Sequence, residues 1–203
     1  MRLLIATKNA GKKAELERIL EGLGYELRMP TDLGIDLDVK ETGSSYRENA
    51  LLKAEAFCEA SGLVTLADDS GLEVDALDGA PGIYSARYGG PGLDDEGRYR
   101  LLLREMEGVP QAERTARFRC VIAMVWPDGR HETVSGVCEG RILTAPRGEH
   151  GFGYDPVFYV LDQGRAMAEL TAEVKNETSH RARAMALARE ILAQASQDAG
   201  ATS

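Results

Sequence analysis

The 203-residue chain is poor in the features that mark whole classes of protein. Its three cysteines, Cys58, Cys120 and Cys138, are odd in number and never in C-x-x-C spacing, which excludes a disulfide framework and a cysteine zinc site; all three read as reduced core residues. Long apolar runs are missing. The longest, Cys120 to Trp126, is far short of the roughly 18 residues of a membrane-spanning helix, and Leu3 to Ala6 is shorter than the 7 to 15 or so of a signal-peptide core and runs into Lys8. A cytoplasmic protein without a membrane partner is expected. Positive charge is scarce too: 24 Lys and Arg against 33 Asp and Glu give a formal charge of -9, which disfavours a broad nucleic-acid surface. Any phosphate ligand must therefore meet a local basic pocket.

What is present suits a globular core, with 43% hydrophobic and 28% charged residues. No fixed-period repeat or domain boundary shows, so residues 1–195 read as a single domain, with 196–203 small and polar enough to fray. Arg2 to Thr7 reads as a strand and Lys8 to Lys12 as a turn, followed by a helix with Leu16, Ile19, Leu20 and Leu23 at helical spacing. Ser45-Tyr-Arg-Glu48 is a capping box opening a helix that Gly62 ends, with Ala50, Leu51, Ala54, Phe57 and Cys58 on one face. Leu63 to Ala67 predicts a buried strand that turns at Asp68-Asp69-Ser70-Gly71.

Leu77 to Gly97, rich in glycine with two prolines, predicts a long ordered loop, and a helix is expected from Asp95 to Met106. Arg117 to Trp126 and His131 to Glu139 flank Pro127-Asp-Gly-Arg130 as a hairpin. Pro156 to Val160 reads as a strand, and a last helix is expected with Ser179 as N-cap and Ala182, Met185, Ala186, Ile191 and Leu192 as its apolar face. The fold class is α/β with a mixed sheet flanked by helices.

Three of the six lysines, Lys8, Lys12 and Lys13, crowd one strand-to-helix turn containing Gly11. A helix N-terminus offers unpaired N–H groups and partial positive charge, so this turn can cradle phosphate, although helix-surface lysines give the same pattern. It is not a Walker A loop. Asp68 and Asp69 would point to opposite faces of a strand, one facing a site and one serving structure; the alternative is a turn in which Asp caps backbone N–H groups. An acidic residue near such a cradle suits Mg²⁺, held by one or two carboxylates and by substrate phosphates. Glu41 is a second candidate ligand, or a surface acid. Gly151-Phe-Gly-Tyr-Asp-Pro156 could stack a base on an aromatic ring and accept a ring N–H at Asp155, or be a glycine loop pinned by core aromatics. Ser179-His180-Arg181 could aim a charged pair into a cleft, or be a helix cap with solvated neighbours. Lys175 alone carries no signal.

Taken in order, Ala6 to Lys12, Glu41-Thr-Gly43, Glu48-Asn-Ala50, Ala67 to Leu72, Gly79 to Arg87, Gly151 to Pro156 and Ser179-His-Arg181 resemble the inosine triphosphate pyrophosphatase family across nearly the whole chain. The resemblance implies an elongated two-lobed α/β fold with a nucleotide-binding groove between the lobes, a homodimer, Mg²⁺ dependence, and cleavage of non-canonical purine nucleoside triphosphates (ITP, dITP, XTP) to monophosphate and pyrophosphate. It implies that Thr7, Lys8, Asn9, Ala10, Gly11 and Lys12 hold the triphosphate, although Lys8 departs from the family pattern. It makes Asp69 the catalytic carboxylate and a metal ligand with Glu41, and makes Ser70 a substrate contact. Phe152, Gly153, Tyr154, Asp155, Lys175, His180 and Arg181 would form the base and sugar pocket. Rival readings are a pyrophosphatase for modified pyrimidine triphosphates and a nucleotide sensor without turnover; no Walker A or kinase signature supports a phosphotransferase.

Overall fold

The computed structural model describes residues 1–7, 10–20 and 22–201, the side chains at 10, 11, 13–15 and 198–201 excepted. Lys8 and Asn9, expected in the phosphate-binding turn, lie outside the described residues, as do the side chains of Ala10, Gly11 and Lys13.

Among the described residues one mixed sheet of seven strands runs in the order β2-β1-β3-β4-β5-β6-β7. The strands are β1 (Arg2–Ile5), β2 (Glu26–Arg28), β3 (Val64–Val74), β4 (Thr115–Val125), β5 (His131–Ile142), β6 (Phe158–Val160) and β7 (Arg165–Ala166). The helices are α1 (Ala10–Leu20), α2 (Tyr46–Ser61), α3 (Asp95–Glu105), α4 (Ala172–Thr178) and α5 (His180–Ala201). β1 pairs parallel with β2 and β3, whereas β5 with β6 and β6 with β7 are antiparallel. The α/β class expected from the alternation of strand and helix patterns is the one observed.

Two compact units make up the chain. The first comprises Met1–Asp69, Cys120–Gly136 and Arg181–Ser203. Its core gathers Leu3, Ile5, Leu16, Leu66, Ile122 and Met124 with Met185 and Leu192 of α5. β1 buries Leu3, Leu4 and Ile5 completely, as a parallel strand covered on both faces must. On α5 the buried stripe is Ala184, Met185, Ala188, Leu192 and Ala195. Ala186 is exposed, contrary to the predicted face, because at about 100° per residue it lies opposite Ala184 and Ala188. The β4–β5 hairpin closes as expected, with the Trp126 N–H donating to Arg130 O at 2.9 Å and Gly129 at φ +88°.

The second unit comprises Ser70–Arg119 and Val137–His180. Leu72, Leu102, Met106, Phe118, Phe158 and Val160 are among its buried core residues, and the rings of Phe118 and Phe158 tilt against each other at 4.5 Å. Leu77 to Gly97 is ordered as predicted but not devoid of helix, since Gly82–Arg87 winds into a 3₁₀ segment. Ser85 pins it: its Oγ donates to Gly82 O at 2.6 Å and accepts the Leu72 N–H at 2.9 Å. Pro156 and Val157 belong to another 3₁₀ turn, so the predicted strand shrinks to Phe158–Val160.

The larger departure concerns β3. It does not turn at Asp68-Asp69-Ser70-Gly71 but continues to Val74. Gly71 takes no positive φ, and both carboxylates meet cations inside the protein, so neither needs the solvent a turn would provide. Leu72 and Val74 beyond them, both fully buried, draw the strand onward.

Candidate active site

In the first unit, β3 sets Asp68 and Asp69 on opposite faces, and each collects its own partners. Asp68 is 2% exposed. Its Oδ2 lies 3.0 Å from Lys12 Nζ of α1 and 3.2 Å from Arg181 Nε of α5, with Cys120 Sγ at 4.0 Å. Burial pushes the Asp68 carboxyl up, but Lys12, Arg181 and Lys53 outweigh it and hold the group well below the usual carboxylate range. Beside this fixed charge the fully buried Cys120 thiol is pushed up to about 12, first by burial and then by Asp68, so it stays protonated.

Asp69 faces α2. Its Oδ2 accepts from Asn49 Nδ2 at 3.3 Å and its Oδ1 lies 3.5 Å from Lys53 Nζ, which donates to Glu41 Oε1 at 2.6 Å. One ammonium thus spans two carboxylates. Burial raises Asp69, and the Glu41 charge adds to that rise against the pull of Lys53 and Lys12. For Lys53, burial acts downward, yet Asp69, Asp68 and Glu41 together keep its ammonium above the ordinary lysine value. The two neighbouring aspartates therefore shift in opposite directions, the pattern by which a site separates a structural charge from a working base.

Local sequence explains how α2 delivers these groups. Ser45 caps the helix by accepting the Glu48 N–H at 3.2 Å, while the Glu48 carboxylate bonds Ser44 N and Oγ at 2.6 and 2.9 Å. The capping box is thus displaced by one residue from the predicted reciprocal pair. Asn49 Oδ1 accepts the Gly43 N–H at 2.8 Å, and a Cβ at Gly43 would sit 2.6 Å from Glu48 Cβ, so the strand of motif leading from Glu41 requires glycine there. Asn49 and Lys53 were not singled out from sequence. Their signal was present: two polar residues at i and i+4 interrupt the apolar face formed by Ala50, Ala54 and Phe57.

In the second unit, the 151–155 loop is organised by Asp155, which is 4% exposed. Its Oδ2 accepts the Phe152 N–H at 3.0 Å and Lys175 Nζ at 2.7 Å, and that ammonium lies 4.7 Å from the Phe152 ring centroid. Gly151 sits at φ +83°, and a Cβ there would stand 2.0 Å from Asp155 Oδ2. Asp95 of α3 accepts the Gly153 N–H at 2.8 Å. The Tyr154 hydroxyl is buried and donates to Ser85 O at 2.9 Å, so this aromatic is a core anchor, whereas Phe152 is only half-buried. His180, 5% exposed, stacks on Phe118 at 4.8 Å and 13° between ring planes.

The sequence-predicted residues therefore gather as two clusters. Lys12, Glu41, Asp69 and Arg181 join Asp68, Asn49 and Lys53 in the first unit; in the second Phe152, Asp155 and Lys175 meet with Gly153 in the same loop, while Tyr154 turns to Ser85 and His180 to Phe118, and Ser70 belongs to the same unit. Arg181 is committed through Nε to Asp68. Thr7, half-buried, is the second residue past the end of β1.

Buried, oppositely tuned carboxylates beside lysines on a mixed α/β sheet are an arrangement in which enzymes set acid and base groups apart. The chain belongs to the Ham1 family, whose model matches residues 3–191. It is 51% identical over 191 residues to a Geobacter sulfurreducens protein named dITP/XTP pyrophosphatase, spanning 94% of this chain and 96% of that one. With the Bacillus subtilis protein of the same name it shares 47% over 182 residues, 90% and 92% of the two chains. Its fold matches that of the Staphylococcus aureus Ham1 protein with a TM-score of 0.85 at 42% identity, covering 95% and 98%. A HAM1 protein from Coxiella burnetii gives 0.88 at 38%, covering 96% and 99%. These similarities agree with the resemblance carried by the motifs.

Proposed function

We propose that this chain is a nucleoside triphosphate pyrophosphatase that hydrolyses dITP, XTP and ITP to the monophosphate and pyrophosphate. The observation that carries this reading is Asp69: a buried carboxylate with a raised pKa, oriented by the Asn49 amide and the Lys53 ammonium. A base whose pKa climbs toward neutrality is matched to removing a proton from water. Lys53 keeps Asp69 available in its ionised form, and Lys12, half-buried at the start of α1, brings positive charge where a phosphate chain needs it. In the second cluster Phe152 supplies a ring face for a purine, with the Lys175 ammonium beside it.

The donor set of the first cluster also fits Mg²⁺. Among the described residues no three His, Cys, Asp or Glu gather to cage a metal, but Glu41 and Asp69 meet at a single cation, and burial together with the Glu41 charge raises Asp69 against the pull of Lys53 and Lys12. Two carboxylates completed by substrate oxygens are what Mg²⁺ takes. When bound, the ion would neutralise charge on the phosphates. A homodimer in the cytoplasm is part of the same proposal; no helix among the described residues is long and apolar enough to cross a membrane.

The test is product analysis with XTP, ITP, ATP and modified pyrimidine triphosphates in the presence of Mg²⁺. Pyrophosphate and monophosphate from XTP and ITP are expected, with ATP slower by orders of magnitude. A 6-oxo purine presents an acceptor and a donor where adenine presents the reverse, and a site that hydrogen-bonds such a group rejects its analogue by about 10⁴-fold. Orthophosphate appearing without added inorganic pyrophosphatase would exclude the assigned bond, and binding without turnover would favour a sensor.

A further inference from the structure

Away from both clusters, the second unit has an open cavity of about 760 Å³ at the C-terminal end of α3. Its walls include Leu93, Leu103 and Val109 on the apolar side and Arg100, Arg104 and Arg114 on the polar side. In a chain of net charge -9, three guanidiniums around one cavity are a local reversal.

Arg114 is the informative member. It is 3% exposed, yet no carboxylate among the described residues meets it; its Nε, Nη1 and Nη2 donate to the carbonyls of Ile142, Met106 and Leu143 at 2.9, 2.8 and 2.9 Å. A guanidinium has five N–H donors, so two remain beyond these three bonds. Of the three carbonyls, that of the half-buried Leu143 lies nearest the surface. Burial acts on this cation with no acidic group offsetting it. Such a charge is ordinarily paired, since neutral carbonyls supply dipoles but no counter-charge. Arg100 is occupied by Glu96 at 2.6 Å, whereas Arg104 is exposed and has no ion pair among the described residues. Among the described residues the only acid on the cavity wall is Glu107.

We infer that this cavity is a binding site for a small organic oxyanion, whose carboxylate or phosphomonoester head meets Arg114 and Arg104 while its apolar body lies on Leu93, Leu103 and Val109. Planar guanidiniums match the paired oxygens of such heads, and the volume suits a small ligand. A head larger or more charged than the cavity's two available cations can match gains nothing further there, so an aromatic acid or ester is the fitting probe.

The experiment follows backbone amide shifts of the full chain while benzoate, phenyl phosphate, inorganic phosphate or neutral benzamide is added. Saturable shifts at Gly97, Gly108 and Thr144 are expected with benzoate and phenyl phosphate, a preference between them identifying the head group. Inorganic phosphate should bind those amides more weakly and benzamide not at all. Arg104→Glu, an exposed and foldable change, should weaken the binding roughly tenfold or more. Lys12→Ala, at the other cluster, should leave it unchanged. Shifts confined to residues around Asp69, equal response to benzamide, or indifference to Arg104→Glu would overturn the assignment.

Discussion

Replacing Lys53 with methionine keeps most of the length of the side chain and removes the charge that Glu41 and Asp69 share. At an effective dielectric of about 20, unit charges at these separations attract by roughly 5 kcal/mol each before desolvation is subtracted. Removing Lys53 recovers the desolvation cost of only one of the three charges. Asp69 then stays buried beside Glu41 with a like charge and without the cation that opposed its rise. Losing an adjacent opposite charge raises a carboxyl by about 1 to 3 pH units. Since the base works only when deprotonated, activity in Lys53→Met should rise with pH through a higher pKa than in the native enzyme. The assay is kcat/KM for XTP from pH 5 to 9, read as pyrophosphate release, with melting temperature as the folding control. The acidic limb should move up by that amount in Lys53→Met and by much less in Lys53→Arg. An acidic limb that overlays the native one, in a folded Lys53→Met protein, would refute the coupling between Lys53 and Asp69.

Asp69→Asn should lose on the order of a hundredfold or more in kcat with melting preserved, because the amide keeps the shape and not the base; equal turnover would remove Asp69 from catalysis. Asp68→Asn should instead act on stability, costing about 3 to 5 kcal/mol by removing the buried charge that Lys12 and Arg181 share. Because the Asp68 pKa is depressed on folding, this contribution is complete above the unfolded-state value near 4 and fades as pH falls through the folded value, so the melting difference should be flat from pH 5 to 8 and shrink only in strong acid. Gly151→Ala must place a Cβ on Asp155 Oδ2 and tolerate φ +83°, which alone costs about 1 to 2 kcal/mol; KM for XTP should rise roughly tenfold while kcat changes less, and an unchanged KM would detach this loop from substrate.

The helices of this protein are legible because their punctuation is local: Ser45 and Gly62 bracket α2, and Gly62 takes the αL conformation such an end prefers. The fate of Asp68 and Asp69 was harder to read. A D-D-S-G string signals a turn unless its charges are compensated, and the compensating groups come from α1, α2 and α5, far away in sequence. β2 and α4 went unread for lack of length: three residues, Glu26–Arg28, show no period, and the seven of α4 run into Ser179 and the start of α5. In the candidate site, the motif residues were found by type and spacing, whereas Lys53 is one more lysine on a helix until the fold brings Glu41 and Asp69 to it. Arg181 shows the same limit in reverse. A base-recognition role follows from its place in a motif, but its strong link to Asp68 is visible only in three dimensions.

The alternation of Asp68 and Asp69 along β3 has a consequence for what the gene can tolerate. Side chains on a strand change faces at every step, so inserting or deleting one residue just upstream would move each aspartate to the other face. After a deletion Asp69 would take the place of Asp68 between Lys12 and Arg181, and Ser70, which has no carboxylate, would come to the place beside Lys53 and Asn49. In a buried apolar strand the hydrophobic pattern alone specifies the register. This one is keyed by charge, and its frame is held by two mismatched locks one residue apart.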